Sequence, residues 1–206
     1  MKRILLLLLP CMSLATDNFI ALTSRMHPIN MRFSTFYLTL HLLKERKAQV
    51  LVETGCSRLQ GPITYTGDGG STVIFGHWAL LNNAQLYTVD INPDHIKNAQ
   101  GLTETYNSNI TYTVSDSVAF LQHFSQPIDF LYLDSFDFDE HNPVPSQEHH
   151  LKEIKAANDK LSPRAVIMID DCALPHGGKG KLAINYLIQN GWRVIAKQYQ
   201  VVLIRR

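Results

Sequence analysis

Ala165–Asp171, AVIMIDD, is an unbroken apolar run that meets two carboxylates at its end. A strand covered on both faces reads as such a run, whereas a strand with one wet face alternates. Three further stretches also run into an acid: Gln49–Glu53 (QVLVE), Gln85–Asp90 (QLYTVD) and Ile128–Asp134 (IDFLYLD). In an open α/β sheet the ligand lies outside the carboxyl ends of the parallel strands. Four strands that end in carboxylates therefore outline one acid-lined crevice, and function is expected there.

Between these strands the periodicity is helical. Arg32–Lys47 puts Phe33, Phe36, Tyr37, Leu40 and Leu43 on one face. Helical patterns also cover Thr72–Leu81 with Ser71 as its cap, Pro93–Tyr106, Ser117–Phe124, Ser146–Lys160 and Lys181–Asn190, and Ile110–Val114 reads as a strand. Trp192–Lys197 and Gln200–Ile204 are too close together for a helical crossover. They are expected to form a hairpin that leaves one antiparallel strand at the sheet edge.

Composition sets the outer bounds. With 206 residues, 45% of them hydrophobic and 18% charged, the chain can bury one substantial core. A formal net charge of +1, with the basic residues scattered, argues against a nucleic-acid partner. Cys11, Cys56 and Cys172 form no CxxC pair, which suits a reducing, cytoplasmic location. Met1–Ala15 (MKRILLLLLPCMSLA) nonetheless has the layout of a secretory leader, and is too short for a stable membrane span. Residues 1–30 are accordingly expected to be an apolar arm packed on the domain, or a leader that is processed or membrane-associated; residues 31–206 are the domain proper.

A parallel α/β sheet closed by a hairpin, with VLVETGCSR at Val50–Arg58, YTVDINP at Tyr87–Pro93, SDSVAFL at Ser115–Leu121 and DFLYLDSFDFD followed by VIMIDDC, resembles the class I S-adenosylmethionine-dependent methyltransferases. Asp134 after the fourth strand and Asp170–Asp171 after the fifth look like the metal-dependent O-methyltransferases of the catechol and macrocin type. The resemblance implies a Rossmann-like seven-stranded sheet, mostly parallel, with a C-terminal antiparallel hairpin and helices on both faces. It implies S-adenosylmethionine held by Glu53, Gly55, Ser57, Asp90, Asp116 and Asp134, and O-methylation of a small-molecule acceptor aided by Mg²⁺ or by Mn²⁺ or Ca²⁺.

Each position also has a physical reading of its own. Gly55 stands where the chain turns out of a strand and a Cβ would intrude on a ligand; it could also be an ordinary turn glycine. Asp90 offers two acceptor oxygens to a ribose diol, or caps the next helix. Asp116 faces an adenine amino group or is a plain N-cap. After Gly55 the family's compact glycine loop is replaced by a long segment, Arg58–Gly70, with its glycines postponed to Gly67, Gly69 and Gly70.

Asp134, Asp170 and Asp171 provide the oxygen ligands that a hard divalent cation prefers, and both aspartates of the adjacent pair can reach one ion only if the strand breaks between them. The alternative is that these acids pair with Lys179, Lys181 or Arg164. Lys179-Gly180-Lys181 reads as a mobile lip to the crevice. The catechol enzymes carry a lysine three residues after the first metal aspartate, where this chain has Asp137. The general base is therefore sought among Asp137, His149 and His150, with His176 a further candidate, and Asp137 and Asp139 could instead contact the substrate. The hairpin and the first helix offer surfaces for a homodimer. A nicotinamide-dependent oxidoreductase would want GxGxxG after the first strand, which is absent. A catalytically inactive Rossmann-like interaction module is the other alternative.

Overall fold

The computed structural model describes residues 18–58 and 70–205. The leader expected at Met1–Ala15 and most of the long segment after Arg58 lie outside these residues. A short helix over 18–23 leads to α1 (Phe33–Arg46), and the chain then alternates: β1 (Val50–Thr54), α2 (Ser71–Asn82), β2 (Gln85–Asp90), α3 (Pro93–Leu102), a 3₁₀ turn (Glu104–Asn109) and β3 (Ile110–Val114). Next come α4 (Ser117–His123), β4 (Ile128–Leu133), α5 (Val144–Ala157), β5 (Leu161–Ile169), a 3₁₀ turn (Pro175–Gly177), α6 (Lys181–Gln189), β6 (Trp192–Lys197) and β7 (Val201–Arg205). Among the described residues no helix is long and apolar enough to cross a membrane.

The seven strands form one sheet in the order β3-β2-β1-β4-β5-β7-β6. β1 to β5 are parallel, and β7 is antiparallel to both β5 and β6. The sheet is thus mostly parallel with an antiparallel C-terminal hairpin, a Rossmann-like methyltransferase fold. One detail differs from the sequence expectation. The antiparallel strand is β7, inserted between β5 and β6, so the edge is taken by β6 and not by the antiparallel strand. β7 is the more apolar of the two, VVLIR against WRVIAK, and the inner position covers both its faces.

Successive strand residues point to opposite faces, which divides the core in two. Leu51, Leu86, Phe130, Val166 and Met168 face α1 and α2, while Val52, Leu131, Ile167 and Leu203 face α5 and α6. Ala21, Leu22 and Met26 join the first layer, and the Trp78 indole donates to the Asn18 side-chain oxygen at 2.8 Å. The described part of the expected N-terminal arm therefore shares the domain's core. α2 is not capped by Ser71: its N-cap is Gly70, without a side-chain cap bond, and Ser71 is already helical and buried.

The α2 side of the core is built on aromatic contacts. Phe75, fully buried, meets Phe36 at 5.2 Å, Phe130 at 4.9 Å and Tyr132 at 5.2 Å between ring centroids. Phe75→Ala is expected to lower unfolding free energy by about 3–5 kcal/mol, since the rings around the cavity cannot all collapse into it. Urea denaturation with an unchanged m-value checks this.

Candidate functional site

The switch in strand order falls between β1 and β4, and a cleft of about 230 Å³ opens at the carboxyl ends beside it. Gly55 enters it from β1, Asp90 and Ile91 from β2, Asp116 and Ser117 from the start of α4, Ser135 and Phe136 from the end of β4, and His149 from α5. Gly55 has φ +79°, and a Cβ there would lie 2.4 Å from the carbonyl oxygen of Asp134. Only glycine lets β1 leave the sheet this close to the end of β4.

Asp90, about nine-tenths buried, is organised by backbone: it accepts from Asn92 N at 2.8 Å and Cys56 N at 3.2 Å. His95 Nδ1 lies 3.2 and 3.3 Å from its two oxygens and covers the remaining acceptor edge. Asn92, not Asp90, caps α3, accepting from Asp94 N at 2.9 Å. Asp116 does two things at once: it caps α4 through Ala119 N at 2.8 Å, and it lines the cleft.

Glu53 and Ser57 are fully buried behind the cleft and do not line it. Thr72 at the start of α2 joins them, accepting from Ser57 N at 2.8 Å and donating to Glu53 Oε2 at 2.7 Å. Thr88 donates to the same Glu53 oxygen at 2.7 Å, while Glu53 Oε1 and Ser57 Oγ are buried without a partner. Burial pushes the Glu53 carboxyl up to about 7, against the hydroxyls that draw it down. The glycine cradle at Gly55 and the strand-end carboxylate of Asp90, both on the cleft, fit a polar nucleoside cofactor such as S-adenosylmethionine.

The expected cation site does not fit a divalent ion. Asp171 has φ +53°, so the strand does break where two-sided reach required it, and the three aspartates do converge. The space among them is filled by the chain's own cations. Lys179 Nζ donates to Asp134 Oδ1 at 2.6 Å and to Asp171 Oδ2 at 3.1 Å; Arg32 reaches Asp170 through Nε at 3.0 Å and Asp171 through Nη2 at 3.0 Å. Tyr132 adds a hydroxyl on Asp170 at 2.6 Å. Mg²⁺ is thus not supported at Asp134, Asp170 and Asp171, and among the described residues no group of three His, Cys, Asp or Glu side chains is placed to hold an ion.

Of the pairing partners considered for these acids, Lys179 is realised, Arg164 instead donates to the Glu45 carbonyl, and Arg32 was not foreseen. Nor is Lys179 part of a mobile lip: it is 1% exposed, and its neighbours raise its affinity for its proton despite burial. Asp134 is likewise held up by burial. Two cations facing three carboxylates leave one negative charge in excess, which an added proton would cancel.

The base candidates separate. His149 Nε2 lies 2.9 Å from Ser117 Oγ and 3.6 Å from the buried carboxylate of Glu153, and its ring packs on Phe136 at 5.2 Å. Burial works against the charged ring, but Glu153 outweighs it and raises the His149 pKa. The Glu153 carboxyl is held down at about 2, burial notwithstanding, by His149 and its hydroxyl partners. His149 stands at the Asp116 end of the cleft. His150 faces the interior, bonded through Nδ1 to the Ser146 carbonyl at 2.7 Å and driven toward the neutral form by burial. Asp137 is 73% exposed, paired with Arg58 at 3.0 Å and outside the cleft lining. Burial also pushes up both described thiols, Cys56 and Cys172, so neither is a thiolate near neutral pH.

The profile of a family described as "Methyltransferase domain" matches residues 66–172, more than half of the chain. Among solved structures, an SAH-bound methyltransferase from Podospora anserina is 13% identical, with 93% of this chain and 87% of that one covered and a TM-score of 0.61. An O-methyltransferase from Bacillus cereus in complex with SAH is 11% identical over 94% and 91%, TM-score 0.58. A protein described as a putative rRNA methylase, from Clostridium thermocellum, is 12% identical over 87% and 98%, TM-score 0.56. No curated protein matches the sequence significantly. At such identities the structures share a fold with this chain, and nothing finer is read from them.

The buried Glu53 makes stability pH-dependent in a definite sense. Its pKa rises from 4.5 to about 7 on folding, so between those values the folded state binds more protons than the unfolded one. Its contribution is complete below pH 4.5 and is lost as pH rises through about 7. Glu53→Gln, which cannot ionise, is expected to be on the order of 2 kcal/mol more stable relative to wild type at pH 8 than at pH 4.5. Paired urea titrations at the two pH values measure the difference.

Proposed function

The chain belongs to the methyltransferase-domain family, and from that premise we propose that it moves the methyl group of S-adenosylmethionine to a hydroxyl oxygen of a small acceptor, with Asp134 receiving the proton. The observation that carries this reading is the convergence of Gly55, Asp90 and Asp116, from three strand ends, on one cleft. The cofactor, when bound, supplies an electrophilic methyl on a sulfonium. Asp90 has the acceptor oxygens for the ribose diol once the His95 ring, 28% exposed, swings off its edge. Asp116 and His149 mark the adenine end, and Gly55 leaves room for the methionine part.

Asp134 follows from the same geometry. Its backbone packs directly against Gly55, and its chain neighbour Ser135 lines the cleft. A carboxylate in a cluster with surplus negative charge is a competent acceptor of an acceptor-hydroxyl proton, and Lys179 fixes its orientation. This replaces the three base candidates taken from sequence. A small acceptor suits a chain whose formal net charge, +1, gives no long-range pull on a polyanion.

S-adenosylhomocysteine at 100 times its Kd should stabilise the fold by about 2.7 kcal/mol, seen as a rise in Tm. Asp90→Ala should remove most of that rise, because each buried ribose hydroxyl left unpaired costs about 1–3 kcal/mol. Calorimetric titration supplies the affinities. Absence of heat and of a Tm shift with both S-adenosylmethionine and S-adenosylhomocysteine would sink the proposal, and equal binding by wild type and Asp90→Ala would remove Asp90 from the site.

A further inference from the structure

The loop that follows β5 is built to deliver one ammonium group to the acids. Asp171 turns the chain into the left-handed region, and Gly178, φ +57°, brings it back so closely that a Cβ at Gly178 would lie 1.9 Å from the Asp171 carbonyl oxygen. Lys179 N donates to that same carbonyl at 3.3 Å. From α5, the buried side chain of Gln147 donates to the carbonyls of His176 at 3.2 Å and Gly178 at 3.0 Å, so the return is fixed from outside as well. On the far side, Cys172 N is bonded to the Tyr199 carbonyl at 2.8 Å, and the Tyr199 ring lies 4.2 Å from the Arg32 guanidinium carbon. Lys179 Nζ therefore reaches Asp134 and Asp171 from a position that the backbone fixes, and it fills the space among them.

We propose that Lys179 is the resident cation of this site: it holds Asp134 and Asp171 in the arrangement that a divalent ion would otherwise impose, and it excludes such an ion. Lys179 is a positioning residue, buried and acting through Asp134. The inference refines the proposed methyl-transfer site. Its test reads metal binding alone, so it can fail while cofactor binding stands, and the reverse.

The physical basis is exclusion by charge and by volume. A divalent ion entering between Asp134 and Asp171 would meet an ammonium already 2.6 and 3.1 Å from their oxygens, and a buried charge deprived of its partners is costly. Arg32 occupies the outer oxygens of Asp170 and Asp171, so the ion could not be accommodated by a shift to the other side. Removing the ammonium changes the balance: three carboxylates then face a single guanidinium, and a hard cation with oxygen ligands becomes the natural occupant.

The experiment is titration of the full chain with Mn²⁺, followed by the electron paramagnetic resonance signal of free Mn²⁺, for wild type and for Lys179→Met, which keeps the aliphatic stem. Wild type is expected to leave the free signal undiminished at equimolar Mn²⁺, and its Tm to be unaffected by chelator. Lys179→Met is expected to sequester one Mn²⁺ at least about tenfold more tightly, and Lys179→Met with Asp171→Asn to lose that gain. Sequestration of one Mn²⁺ by wild type, abolished by Asp171→Asn, overturns the proposal. So does a folded Lys179→Met with no gain in Mn²⁺ affinity. Where Lys179→Met does not fold, the wild-type titration decides by itself.

Discussion

Five carboxylates, Glu53, Asp90, Asp134, Asp170 and Asp171, crowd one edge of a parallel sheet, and the fold depends on their compensation. Isolated charges at mostly buried positions would cost several kcal/mol each. The protein compensates them in three ways. Glu53 receives hydroxyls from Thr72 and Thr88; Asp90 receives backbone amides and a histidine; the three remaining acids share Lys179 and Arg32. The hydroxyl-bound Glu53 keeps its proton more readily than a free glutamate, while Asp171, beside two cations, gives its proton up more readily, burial notwithstanding. The edge is thereby divided into a weakly charged part behind the cleft and an ion-paired part beside it.

Close approach of backbone is the second theme. Gly55 allows β1 to pass against the end of β4, and Gly178 allows the loop after β5 to touch its own start. Both glycines sit where strand ends and loops meet, and both place a charged side chain: Gly55 stacks on the backbone of Asp134, and Gly178 precedes Lys179. The same loop carries left-handed, non-glycine backbone at Asp171 and His176, conformations of the kind that persist only where surrounding contacts over-determine them. Gln147, buried on α5, is one of those contacts.

The sheet was legible because its strands are covered on both faces, and runs such as FLYL in β4 and VIMI in β5 suit a doubly covered strand far better than a half-exposed one. Helix ends moved by a few residues, most at Pro93–Leu102, where the pattern continued into the 3₁₀ turn Glu104–Asn109. Gly55, Asp90 and Asp116 could be placed at the cleft because position at a strand end is local information. What lies across the fold could not. Arg32 and Thr72 carry no mark in sequence that points to Asp170 or Glu53, and the pairing depends on how α1 and α2 dock. Lys179 was legible as one of three possible partners, and geometry selects it by the turn at Gly178. For the histidines, adjacency on a helix was misleading: His149 and His150 lie about 100° apart around the axis, so one reaches the cleft while the other faces the interior.

The pairing of Arg32 with Asp170 spans 138 residues of sequence. Loop closure over such a distance comes late in assembly, after local strand and helix contacts have formed. During synthesis Arg32 emerges early and waits for its partner, while Asp134 waits for Lys179, 45 residues on. Until both arrive, the acidic edge repels itself and the first helix lacks its polar anchor. Completion of β5 and of the loop that carries Lys179 is thus also the moment at which α1 is tied to the carboxyl ends of the sheet. A ribosome-bound fragment ending before Asp170 would hold most of the sheet and yet lack the ion pairs that seal it.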